Sequence, residues 1–217
     1  MSKLKTNFIL TPIFGTIIFL ILYFIATLYY PGGSQLDKNS KGFSWINNYW
    51  CNLLNENAMN GQHNSAKPIA MSAMFILCVT LSLFWILFPQ QVRTGKINKR
   101  IIQFSGTLSM LVAFFLFTNI NHDLITDVAS ALGLIAAIGT FNVLYKIKWF
   151  GLFFFGLLNI LLVVLNNYVY FTKGLIVYLP VIQKISFAAF LIWVCCIDIN
   201  LYWQSKKTQR TYRLAPG

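Results

Sequence analysis

Four residues near the ends of the apolar stretches have side chains that suit metal chemistry. His122, Asp123 and Asp127 lie close together in the sequence, and His63 is the other of the two histidines. The aspartates are four residues apart, so they share one face of a helix that begins near them. Two imidazoles with one or two carboxylates suit zinc, which at catalytic sites keeps one position open for water. These four residues therefore form a candidate metal site, with zinc as its cofactor.

The two aspartates also fit a purely structural role that needs no cofactor. Asp123 and Asp127 would lie at the start of a helix, where carboxylates cap free backbone N–H groups and complement the helix dipole. His122 would then be a solvent-facing residue of the turn. The chain contains no His-x-x-x-His or His-Glu-x-x-His spacing. Capping and metal binding both remain open from the sequence alone.

Six apolar stretches must position these residues, and each is about as long as a bilayer is thick. A hydrocarbon core of roughly 30 Å needs about 20 helical residues. With 57% hydrophobic and 10% charged residues, the composition excludes a soluble domain of this size. The runs are continuously apolar, which favours helices over a β-barrel. The predicted fold is a single all-α domain, a polytopic bundle of six transmembrane helices at about 8–30, 68–87, 101–117, 126–145, 150–171 and 181–202.

Lysine and arginine are distributed unevenly between the two sides of these stretches. Twelve fall on the side that carries both termini and four on the other, with Lys184 just inside the sixth stretch. The positive-inside rule then predicts a multi-pass protein of the inner (plasma) membrane with both termini in the cytoplasm. The net charge of +12 reflects this bias. Without a soluble basic domain to hold a duplex, no nucleic-acid partner is expected.

The long loop 31–67, predicted to lie on the outer side, contains aromatic residues at helical spacing. A short amphipathic helix is predicted there, with Asn48, Asn52 and Glu56 on its polar face. Its apolar face comprises Trp45, Ile46, Tyr49, Trp50, Leu53 and Leu54. Such a helix lies in the membrane interface or folds over the bundle as a lid, where its rings would contact a lipid tail or sterol.

Polar residues within the apolar stretches are few. Asn142 and Asn159 are costly in lipid unless paired, so both should face other helices, through hydrogen bonds or as the floor of a cavity. Asp198 and Lys184 lie near opposite ends of the sixth stretch, from which each can reach a headgroup region. No stretch carries a central charged residue, which argues against an ion-coupled transporter or proton pump.

Short motifs in the loop resemble a bacterial six-span membrane protein family of unknown function. They are Pro31-Gly32-Gly33, Asn48-Tyr49-Trp50-Cys51-Asn52-Leu53 and Asn60-Gly61. That family is distantly similar to the DRAM/Sfk-like membrane proteins, and the resemblance implies a fold and a membrane location without an activity. A Ser-Asp-Leu-Gly pattern associated with the loop is replaced here by Cys51-Asn52-Leu53-Leu54.

His122 and Asp127 also resemble part of the zinc site of the seven-span alkaline-ceramidase-like hydrolases. This second resemblance implies zinc held between helices by several histidines and an aspartate. The present chain has one apolar stretch fewer and only two histidines.

The leading functional prediction is a non-enzymatic membrane protein that binds a lipid or small apolar ligand in an outward-facing vestibule. Trp45, Tyr49 and Trp50 would form its lid, and Asn142 and Asn159 its polar floor. The motivating features are the aromatic loop and the absence of central charges in the apolar stretches.

Two alternatives follow from other features of the chain. A metal-dependent hydrolase of a lipid amide or ester would use His63, His122 and Asp127 as ligands, with Asp123 or Glu56 as general base. A structural or assembly subunit of a membrane complex would need no site of its own. Metal content distinguishes the first alternative, and a stable partner after gentle extraction distinguishes the second.

Overall fold

The computed structural model describes residues 8–115 and 122–214, with side chains over 8–115 and 124–208. Six α-helices make up most of the described chain. They are α1 Thr11–Leu28, α2 Lys67–Gln91, α3 Lys96–Phe114, α4 His122–Lys146, α5 Phe150–Phe171 and α6 Leu179–Leu214. Short 3-10 helices cover Phe8–Leu10, Trp50–Leu54 and Ile176–Tyr178. Within the described ranges, β-pairing is limited to two isolated bridges, Gly32 with Lys41 and Asn57 with His63.

Within the residues that the structure describes, five helical segments are long and apolar enough to cross a membrane. They are Phe8–Leu28, Lys67–Gln91, Leu124–Lys146, Phe150–Phe171 and Ile176–Thr208. Helix α3 differs because three of its first five residues, Lys96, Lys99 and Arg100, are basic. The six long helices match the six predicted stretches, so the predicted all-α membrane fold is confirmed. Two boundaries differ most: α3 begins five residues early, and α6 continues to Leu214.

The chain divides into two compact units, and four of the helices contribute residues to both. The first unit comprises Met1–Thr16, Leu77–Phe154 and Ile192–Gly217. The second comprises Ile17–Ile76 and Phe155–Leu191, and it contains the whole of the first loop, which links α1 to α2.

Small and polar residues allow helices α3 and α4 of the first unit to pack closely. Ser109 Oγ donates a hydrogen bond to the Ala129 carbonyl (2.7 Å), and Asn98 Nδ2 donates to the Gly139 carbonyl (3.2 Å). On α3, Gly106 faces the Trp85 indole so closely that a Cβ at Gly106 would lie 2.3 Å from the ring. Packing of this kind, rather than the hydrophobic effect, holds helices together in lipid.

Candidate functional site in the first loop

Buried asparagines organise the first loop. The Asn48 side chain is fully buried; its Oδ1 accepts from the Ser44 N–H (2.9 Å) and its Nδ2 donates to the Gly33 carbonyl (2.8 Å). Asn52 Oδ1 accepts from the Tyr49 N–H (2.7 Å) and from Asn48 Nδ2 (3.3 Å). A loop without regular ladders leaves backbone groups unpaired, and these amides satisfy them.

A third buried asparagine joins the end of the loop to helix α2. Asn64 Nδ2 donates to the backbone carbonyls of Asn52 (3.2 Å), Leu53 (3.1 Å) and Asn55 (2.9 Å). Its Oδ1 accepts from the Ala66 N–H (3.2 Å), just before α2 begins. One side chain therefore ties the 3-10 helix Trp50–Leu54 to the start of a membrane-spanning helix.

The two glycine-containing motifs of the loop meet in the structure. The Asn60 N–H donates to the Gly32 carbonyl (3.2 Å). Gly33 has φ +82°, and a Cβ there would lie 2.3 Å from the Asn60 backbone nitrogen. Only glycine combines a positive φ with so close an approach of two backbones. The Pro31-Gly32-Gly33 and Asn60-Gly61 segments thus form one structural feature.

The predicted amphipathic helix in the loop is wrong in extent and in orientation. Only Trp50–Leu54 is helical, as a 3-10 helix. Asn48 and Asn52, assigned to the polar outer face, are buried, whereas Trp45 and Ile46 are 46% and 68% exposed. The reason is that backbone groups inside the loop require hydrogen-bond partners, which amide side chains supply and apolar side chains do not. Leu53 alone follows the prediction closely, being fully buried.

Trp50 anchors the loop to helices of the second unit. Its ring lies 4.9 Å from that of Tyr23 and 5.1 Å from that of Phe187. The Tyr23 hydroxyl donates to the Trp50 carbonyl (3.0 Å), and the Trp50 N–H donates to Gln183 Oε1 (3.4 Å). Trp45 stacks on Phe24 with centroids 6.1 Å apart. Both tryptophans thus fix the position of the loop.

A groove in the second unit lies between the first loop and the segment that leads into α6. Its volume is about 270 Å³. The lining residues are Gln35, Leu36, Asn47, Tyr49, Ile176, Val177 and Pro180. Of the predicted ligand-binding residues, Tyr49 is the one that lines it.

Lys184 bonds to one residue that lines this groove and to the neighbour of another, and the sequence gave it no predicted part in a site. Its ammonium donates to the carbonyls of Asn48 and of Pro180 (2.9 Å to the latter). Pro180 lines the groove, and Asn48 precedes Tyr49, which also lines it. Among the described side chains, the only ion pair is between Lys67 and Glu56, so Lys184 has no carboxylate partner there. The signal in the sequence that could have identified Lys184 is its position as a lone lysine early in the sixth apolar stretch.

Burial and charge alter the titration of three side chains in the loop. Burial raises the pKa of the Cys51 thiol above its ordinary value, which the Lys184 ammonium opposes. Burial also raises the pKa of Tyr49. The hydrogen bond and charge of Lys67 lower the pKa of the exposed Glu56 carboxyl. Glu56 is therefore an ion-pair partner of Lys67.

The two predicted floor residues differ in environment. Asn142 on α4 is exposed, so the prediction that it faces other helices is wrong for this chain. The buried face of α4 is defined by Ala129, Ala136 and Val143, and Asn142 lies off that stripe. Asn159 on α5 is buried, and its Nδ2 donates to the Phe155 carbonyl (2.9 Å). Its Oδ1 has no partner among the described residues.

The metal-site prediction falls largely outside what the structure describes. The side chains of His122 and Asp123 lie outside the described residues. His63 and Asp127 are both exposed, and they belong to different units. Over residues 8–115 and 124–208, no three histidine, cysteine or acidic side chains come together as metal ligands. The zinc site therefore stays a prediction.

The fold and its apolar helices define the class: an all-α, polytopic integral membrane protein. Comparison of the chain with protein-family models, with curated proteins and with solved structures finds no match. The resemblances drawn from the loop motifs and from His122 and Asp127 therefore stay predictions, and function must be argued from the site.

Proposed function

We propose that this protein binds an anionic lipid at its first loop. An acyl chain lies in the groove beside Tyr49, and the phosphate or carboxylate of the headgroup lies against Lys184. The observation that carries the proposal is a lysine without a carboxylate partner, within the described residues, whose ammonium bonds to the carbonyl of Pro180 in the lining of an apolar groove.

The groove has the lining and size of a site for part of a lipid. Leu36, Ile176, Val177 and Pro180 provide an apolar wall, and Gln35 and Asn47 are its only amides. Its volume of about 270 Å³ is just below the range of about 300–1,000 Å³ that holds drug-sized ligands. That space suits a segment of an acyl chain, with the rest of the lipid remaining in the bilayer.

Lys184 has the donor geometry to hold an anion. An ammonium carries three N–H donors, and two of them are directed at the Asn48 and Pro180 carbonyls. The ammonium also lies 5.8 Å from the centre of the Phe43 ring, and the third N–H has no oxygen acceptor among the described residues, so it can serve a ligand. A partly buried cation without a counter-charge is costly, and an anionic headgroup would offset that cost through a charge-assisted hydrogen bond.

The distribution of basic residues supports a topology for this site. Twelve lysines and arginines flank the helices on one side and four on the other. The protein is then a multi-pass component of the inner (plasma) membrane with both termini in the cytoplasm and the first loop outside. The groove beside the start of α6 therefore faces the outer leaflet.

The test is native mass spectrometry of the detergent-purified full chain with a phosphatidylglycerol added at increasing concentration. Val177→Trp fills the groove and Lys184→Gln removes the charge, so each should weaken binding about tenfold or more. Lys184→Arg should restore it. Val163→Trp, at an exposed position on α5 away from the groove, is the matched control.

Two results would contradict the proposal. Equal binding by wild type, Val177→Trp and Val163→Trp would exclude the groove. Equal binding of phosphatidylglycerol and phosphatidylcholine, unaffected by Lys184→Gln, would exclude headgroup recognition by the lysine. A thermal melt of each variant establishes that the compared proteins are folded.

A further inference from the structure

A buried carboxyl lies within the membrane-spanning part of α6, in the first unit. Asp198 is 2% exposed, so the prediction that it reaches a headgroup region is wrong. It shares one helix face with Val194 and Leu201, which are likewise buried. That spacing of four and three residues places the carboxyl on the packed side of α6.

The carboxyl has no counter-charge in the described part of the chain. Its Oδ2 is buried and has no hydrogen-bond partner there. The ion pairs of the described residues do not include it. An isolated carboxylate in an apolar interior is far more costly than a neutral acid, which carries one O–H donor. A bound proton is the simplest way to remove that charge.

The polar groups shown near Asp198 are a thiol and a hydroxyl. Cys195, one turn earlier on α6, lies close enough to Asp198 and to the Thr16 side chain on α1 to interact with both. Thr16 is 3% exposed, and its hydroxyl also donates to the Pro12 carbonyl (2.9 Å). The neighbouring Cys196 also interacts electrostatically with Cys195. Within the described residues, Cys195 is thus the titratable group shown to interact with the carboxyl, and Thr16 on α1 places a hydroxyl near that thiol.

We propose that Asp198 is an intramembrane proton-binding site, with Thr16 and Cys195 as its polar neighbours. The bound species is the neutral carboxylic acid, and its release gives a carboxylate and one proton. Ionisable residues held inside membrane helices commonly mark proton or ion pathways. This inference is independent of the lipid site, because it concerns the first unit and uses none of the loop residues.

Reaction with dicyclohexylcarbodiimide tests the proposal on the purified full chain in detergent. A protonated carboxyl adds across a C=N bond of this apolar reagent. The acid proton moves to the nitrogen, and the carboxyl oxygen bonds to the carbon. Peptide mass spectrometry should find one adduct, at Asp198, formed more slowly as the pH rises. Asp198→Asn should abolish it, and exposed Asp37 should stay unlabelled as the internal control.

Three results would overturn the inference, and none depends on how the variant folds. No adduct at Asp198 in the wild type would exclude a protonated, reagent-accessible carboxyl. A labelling rate that does not change between pH 5 and pH 9 would exclude exchange of the proton. Protection by sodium or potassium ions at constant ionic strength would assign the site to a metal cation instead.

Discussion

Removal of the Asn64 side chain should destabilise the first loop more than any exposed substitution there. Asn64→Ala deletes the donors to three carbonyls and the acceptor of the Ala66 N–H. The two amide hydrogens share the three carbonyls, so about three hydrogen bonds are lost. At about 0.5–1.5 kcal/mol each, the expected loss is about 2–4 kcal/mol in the free energy of unfolding.

Thermal unfolding read by a thiol-reactive fluorophore gives the required local resolution. Cys51 reports on the loop and the buried Cys78 on α2, in two backgrounds that each keep one of these cysteines and replace the other three with serine. At about 2–4 °C per kcal/mol for a chain of this size, the midpoint should fall by roughly 4–16 °C. The Cys51 signal should shift more than the Cys78 signal, because the broken bonds lie in the loop.

Two further variants separate the hydrogen bonds from side-chain volume. Asn57→Ala, at an exposed loop position, should change stability by less than about 0.5 kcal/mol. Asn64→Asp keeps the acceptor for Ala66 but loses the donors, so it should remain destabilised. A midpoint for Asn64→Ala within 2 °C of that for Asn57→Ala would refute the reasoning that this amide holds the loop together.

Three other predictions concern titration, topology and metal. Cys51 in the folded chain should be alkylated by iodoacetamide at pH 8 more slowly than an exposed cysteine at Asn39→Cys, because burial raises its pKa. Since the unfolded thiol ionises first, the loop should also lose stability as the pH rises above the ordinary thiol range; an unchanged midpoint between pH 7 and pH 10 would contradict this. A carboxy-terminal alkaline phosphatase fusion should be inactive and a fluorescent protein fusion bright, whereas the reverse would exclude a cytoplasmic carboxy terminus. Metal analysis of wild type and His122→Ala tests the hydrolase alternative: near-stoichiometric zinc that is lost in the variant would establish a zinc site and favour the hydrolase, and equal metal contents would exclude His122 as a ligand.

The helices could be predicted from the sequence because lipid offers no hydrogen-bond partners to the backbone. Long apolar runs must satisfy their own backbone groups, and the six runs became six helices. Boundaries outside the apolar runs were less predictable. Lys96 and its basic neighbours extend α3, and the polar residues after Tyr202 extend α6. Hydropathy indicates which part of a helix lies in lipid, but it says little about where the helix ends.

The loop could not be predicted because its fold depends on contacts between distant residues. Asn48 reaches back to Gly33, and Asn64 reaches back to Asn52. The apolar residues of 44–54 do repeat at helical spacing. The segment is nevertheless not an amphipathic helix, because its amide side chains form hydrogen bonds inside the loop. Helix α1 ends at Leu28, shortly before the Pro31-Gly32-Gly33 segment.

Which side chains are buried in this protein depends on hydrogen bonding and size as much as on hydropathy. Functional residues should therefore be sought among the buried polar side chains. Large apolar side chains face lipid at little cost, so exposed Phe154 or Leu161 carries no signal. A buried polar group must be paired or neutralised, whatever surrounds it. Asn64 is fully paired within the loop, whereas Lys184 lacks an anion and Asp198 lacks a cation among the described residues. An ionisable group held inside the fold without a counter-charge is more costly than an unpaired neutral group, so Lys184 and Asp198 are the groups that call for a ligand.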